Sequence, residues 1–85
     1  MEIALTSLLK RHGHRVQKVL NIMIESPYFY AQDDHDSFLF LRRHRADFVE
    51  FFKQFYGWSL LIDSKCARIY KAEWHNTAIT PANRS

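Results

Sequence analysis

Eighty-five residues with 12 Lys and Arg, 9 Asp and Glu and a net charge of +3 make one small, mildly basic domain, a size at which the core is marginal unless a partner adds to it. A single cysteine excludes an internal disulfide and suits a reducing compartment, and no apolar run approaches the ~20 residues that span a bilayer. Seven Phe, four Tyr and two Trp are many rings for this size, so some are expected at the surface, where contiguous apolar area marks an interface.

The chain opens MEIALTSLLKRHGHR, with acid before the apolar stretch and base after it, the reverse of a secretory signal; a cytoplasmic location is expected. Ile3, Ala4, Leu5, Leu8 and Leu9 predict a short first helix whose last turn holds Lys10, Arg11 and His12, cations that suit its carboxyl end. Gly13 predicts a break or a bend. A second helix follows from about Arg15 to Glu25, with Val16, Val19, Leu20 and Met23 in one stripe. Ser26-Pro27 ends it, because the residue before proline is pushed out of the α region.

Tyr28, Phe29 and Tyr30 form an extended aromatic step, and residues 32–36 read as a turn rich in helix caps. A third helix covers Ser37 to Arg43 and a long aromatic one about Arg45 to Tyr56, separate or as one bent rod. In the long one, Phe48, Val49, Phe51, Phe52, Phe55 and Tyr56 recur at steps of three and four, which makes a wide apolar face. Gly57 supplies the left-handed residue that commonly ends such a helix. Two short strands follow around the polar turn Asp63-Ser64-Lys65, with Trp58, Leu60 and Ile62 on one face. Cys66 falls where the turn meets the second strand and reads as a small packing residue. The expected fold is α+β, mainly α: a winged-helix-like domain over residues 1–72, with about four helices and then a β-hairpin wing. Residues 73–85 read as a polar tail or linker.

No constellation for catalysis stands out. His12 and His14 are too few ligands for zinc. Asp33, Asp34, His35 and Asp36 lack the alternating donors, glycine and distal glutamate of a calcium loop, and capping is their natural use. No nucleophile–base arrangement, paired carboxylates or phosphate-cradling glycine loop is present. A non-enzyme with no cofactor, no metal and no small-molecule substrate is expected.

Two basic groups remain, Lys10, Arg11, Arg15 and Lys18 in the first and Arg42, Arg43, His44 and Arg45 in the second. Such residues contact phosphates, although Asp47 and Glu50 stand within ion-pairing reach of the second. Lys65 and Arg68 sit on or near the wing tip. The long helix shows Asp47 and Glu50 outward beside Lys53 and Gln54, and two acids would repel phosphate, so base-specific reading is not expected.

The stretch FLFLRRHRADFVEFFKQFYGWSLLIDSKCARIYK resembles the amino-terminal winged-helix region of small tandem-winged-helix subunits that partner SMC-like ATPases. It is most similar to the variant in bacterial Wadjet-type plasmid-defence condensins, related in role to MukE-type subunits. The likeness rests on Leu41-Arg42-Arg43-His44-Arg45, Phe51-Phe52, Gly57-Trp58 and Ala67-Arg68-Ile69-Tyr70-Lys71. It implies a scaffolding role: binding a kleisin-like partner and assisting DNA engagement, while the ATPase subunit does the chemistry. Members are longer and carry a second winged helix, so a fragment or a stand-alone relative is expected.

On this reading the partner surface would use rings from Tyr28, Phe29, Tyr30, Phe38, Phe40 and Trp74, for a kleisin-like protein or self-association. Arg42, Arg43, Arg45, Lys65 and Arg68 would make non-specific DNA-backbone contacts. The alternative expectation is a small stand-alone winged-helix DNA-binding regulator.

Overall fold

The computed structural model describes residues 3–73. Three helices and three strands follow one another as α1 (Thr6–Glu25), β1 (Tyr28–Tyr30), α2 (His35–Arg43), α3 (Arg45–Tyr56), β2 (Trp58–Asp63) and β3 (Arg68–Glu73). The fold is α+β, and its order is compatible with the expected winged-helix layout. Among the described residues no helix is long and apolar enough to cross a membrane.

The expected count of four helices is corrected to three. The first two form one element kinked at His12, whose backbone is non-helical (φ −137°, ψ 41°). The bend expected at Gly13 thus falls one residue earlier, and a Cβ at Gly13 would meet nothing within 4 Å. A lone glycine costs a helix only about 1 kcal/mol, which the buried stripe of Leu8, Val16, Val19 and Met23 outweighs. The helix ends where proline requires: Ser26 is extended (φ −130°, ψ 142°), and its N–H donates to the Ile22 carbonyl at 3.0 Å.

α2 begins two residues before the expected Ser37. Asp34 is its cap, accepting from the Ser37 N–H at 3.2 Å and the Ser37 hydroxyl at 3.0 Å. His44 (φ −107°, ψ 32°) separates α2 from α3, which makes them two helices. Gly57 closes α3 in the left-handed conformation (φ 71°, ψ 24°), and its N–H donates to the Lys53 carbonyl at 3.2 Å.

The expected hairpin is part of a three-stranded antiparallel sheet of order β1-β3-β2. Tyr28, Phe29 and Tyr30 pair with Tyr70, Ile69 and Arg68, and these in turn with Leu61, Ile62 and Asp63. Side chains alternate across a strand, so Phe29, Ile69 and Ile62 share the inner face. The other two rows share the outer one. Asp63 holds the turn by accepting from the N–H groups of Lys65 (3.1 Å) and Cys66 (3.3 Å). Ala67 completes the turn with a left-handed backbone (φ 47°). Cys66 is exposed, which corrects its expected packing role: the turn carries it clear of both strands.

The core joins α1, α2 and α3 to the inner face of the sheet, through Val16, Val19 and Met23, Phe38, Phe40 and Leu41, Phe48 and Phe52, and Phe29, Leu60 and Ile69. Its rings meet edge to face, Phe29 on Phe38 at 5.7 Å and Phe40 on Phe48 at 6.1 Å, an arrangement that adds to the burial itself. Phe52 stacks on Trp58 at 5.6 Å, so α3 is covered by the strand behind it, as its periodicity predicts. Lys71 reaches from β3 to the end of α1. Its ammonium donates to the carbonyls of Met23 (2.7 Å) and Ile24 (3.2 Å) and lies 3.9 Å from the Trp58 ring centre.

Candidate interaction surfaces

Pairing three strands turns scattered sequence positions into one outer surface. Tyr28, Tyr70 and Leu61 stand in one row across the sheet, and Tyr30, Arg68 and Asp63 in the next. Tyr28 and Leu61 are exposed, at 44% and 40%, and the others are half-buried among themselves. The Tyr28 ring lies 6.1 Å from that of Tyr30 and 6.2 Å from that of Tyr70.

Arg68 sits at the centre. Its guanidinium pairs with the Asp63 carboxylate at 3.1 Å and lies over the rings of Tyr28 (5.4 Å) and Tyr70 (5.1 Å). The Tyr30 side chain first, and Asp63 after it, hold the guanidinium more firmly charged than usual. Hydrogen bonds from the turn, chiefly the Cys66 N–H, with Arg68 beside it, hold the Asp63 carboxyl below its ordinary value. Tyr and Arg in such a setting are the residue types that dominate interface energy once desolvated.

One set of expected contacts is corrected by this geometry. Phe29, Phe38 and Phe40 were expected as exposed partner-binding rings, but they are 1%, 3% and 7% exposed. Each points inward because β1 packs against α1 and α2, and α2 against α1 and α3, so the rings are used in the core. Arg68, expected on the DNA backbone, pairs with Asp63 and lies over two tyrosine faces. Tyr28 is exposed, Tyr30 is half-buried on the same outer face, and Trp74 lies outside the described residues. Tyr70 and Leu61 were missed; their signal was the alternation of β3 and β2 against an outer row begun by Tyr28. Phe55 and Tyr56, at 48% and 43% exposed, form a second aromatic edge at the end of α3, where Tyr56 stacks on Trp58 at 4.6 Å.

Arg42, Arg43 and Arg45 are exposed at the α2–α3 junction. Among the described residues the ion pairs are Lys18–Asp34 (3.0 Å) and Arg68–Asp63, so neither Asp47 nor Glu50 neutralises the junction arginines. Arg42, Arg43 and Leu39 line a shallow depression of about 410 Å³. Lys65 is exposed in the β2–β3 turn. No group of three or more metal-ligating side chains occurs among the described residues.

No curated protein and no solved structure matches the chain. A family model does, over residues 20–85, from within α1 through the whole sheet. The chain belongs to that family, described as Protein of unknown function (DUF2398).

Proposed function

We propose that the chain is a non-catalytic interaction domain of winged-helix type. It resembles a kleisin-binding subunit of an SMC-type DNA-maintenance or plasmid-defence complex and assists that complex in engaging DNA. The order α-β-α-α-β-β with the first strand beside the last supports the winged-helix reading. One observation carries the binding role: the outer sheet face sets three tyrosines and Leu61 around an arginine whose charge is already balanced. Such a surface favours a partner that supplies apolar area more than one that supplies charge. The junction residues Arg42, Arg43 and Arg45 would serve DNA.

Co-expression with a kleisin-like and an SMC-like protein tests the reading. The chain should co-elute with the kleisin-like subunit, and Tyr28→Ser with Tyr70→Ser should abolish co-elution while the circular dichroism spectrum stays unchanged. Elution of the chain alone, or full retention by the double variant, would refute it. The stand-alone regulator reading draws on the unneutralised junction arginines, but Asp47 and Glu50 on α3 oppose insertion of that helix into a groove. Binding one duplex at least ~10³-fold more tightly than a scrambled one would favour the regulator.

A further inference from the structure

Charge is segregated along this chain. Seven of its twelve Lys and Arg, and none of its nine acids, fall within residues 10–18 and 42–45. Five cations and all nine acids are left for everything else. The two segments are far apart in sequence, and the fold joins them.

α1 and α2 lie side by side and antiparallel, as three contacts along the seam record. Lys18 pairs with Asp34 at 3.0 Å at one end. Arg15 lies over the Phe40 ring at 5.9 Å in the middle. At the other end the His12 ring, at the kink, lies 5.6 Å from Phe40 and 6.5 Å from His44. The kink therefore sets the basic stretch of α1 against the α2–α3 junction. Lys10, Arg11, Arg15, Arg42, Arg43 and Arg45 are all exposed, and among the described residues none of them forms an ion pair. Only Lys18 is neutralised.

We propose that these six cations form one continuous site for the phosphodiester backbone of double-stranded DNA, gripped by the α1–α2 seam and the α2–α3 junction without α3 entering a groove. This rests on the DNA-assisting part of the function above and gives it a location. Duplex is favoured over single strands because single-strand sites need exposed rings on which bases stack. Of the rings here, Phe40 is only 7% exposed and packs on the half-buried His44, which leaves His12 alone exposed beside them. Backbone contact by cations alone carries no sequence information.

Fluorescence anisotropy of a short labelled duplex with the 85-residue chain tests this, over ~50 to ~200 mM salt. If about four phosphates are neutralised, affinity should fall roughly a hundred-fold across that range, with a log–log slope near −3.6. Arg15→Ala with Arg43→Ala, one change from each segment, should flatten the slope by about 1.8. The same positions changed to Lys should restore it, which separates lost charge from lost folding.

No duplex binding at ~50 mM salt, an unchanged salt slope in the Arg15→Ala, Arg43→Ala variant, tighter binding of single strands, or binding to anionic vesicles in place of duplex would each overturn the proposal. Loss of kleisin capture in the Tyr28 and Tyr70 variant with duplex binding intact is its expected independence from the partner site. If the wild-type chain fails to capture the partner but binds duplex as described, only the partner reading falls.

Discussion

Replacing Lys71 by Met tests the packing of sheet on helix more sharply than a core truncation would. The substitution keeps most of the aliphatic stem and removes the ammonium alone. Two carbonyls in the last turn of α1, those of Met23 and Ile24, lose their donor, at an end where helical carbonyls have no partner of their own. Hydrogen bonds from a charged group contribute about 1.5–3 kcal/mol, and the Trp58 contact about 0.5–1 kcal/mol. Burial pushes the Lys71 ammonium below the usual lysine range, and that desolvation offsets part of the gain. The balance is a loss of about 2 kcal/mol, or roughly 8–16 °C in Tm for a domain of this length. Urea unfolding followed by tryptophan fluorescence and circular dichroism would measure it. A loss under about 0.5 kcal/mol, the range of an ordinary surface substitution, would refute the reasoning.

Ala67→Gly should stabilise the chain by about 0.5–1 kcal/mol in thermal melts, because an L side chain is strained at φ 47° and glycine is not. Asp34→Asn should keep most of the α2 cap, since Asn also accepts from the backbone, but lose the Lys18 pair. The Lys18 side chain first, with the Ser37 N–H, lowers the folded pKa of Asp34. The wild-type stability from this group is therefore complete above the ordinary carboxylate value of ~3.9 and is lost as pH falls through the lower folded value. Acid titrations of stability should show a shallower fall for the variant in that window. Phe52→Ala should cost about 3–5 kcal/mol and leave little folded protein, since the ring is fully buried against Trp58.

What could be read from the sequence was local. Gly57, Ser26-Pro27 and the α3 rings each act within a turn or two of themselves, and all three stand where their chemistry places them. The aromatic step at Tyr28–Tyr30 could not be read as a strand, because three residues become one only by pairing with Arg68–Tyr70 across the whole of α2, α3 and β2. Missing that pair hid the outer face, which left Tyr70 and Leu61 out and admitted Phe29. Phe38 and Phe40 look like surplus rings on a short helix until α2 is seen wedged between its neighbours. The basic residues were visible as two groups, but only the kink at His12 and the antiparallel seam make them adjacent. The bend expected at Gly13 is present one residue earlier, at His12.

Amide hydrogen exchange of the chain, alone and mixed with the proposed kleisin-like partner, bears most directly on the proposed role. Strand amides are protected by the sheet already, so side-chain methyl and ring footprints by NMR should be read alongside. Binding should perturb Tyr28, Tyr30, Leu61, Arg68 and Tyr70 while leaving the Arg42–Arg45 junction unchanged. Perturbation confined to that junction or to Phe55 and Tyr56, with the tyrosine face untouched, would contradict the account.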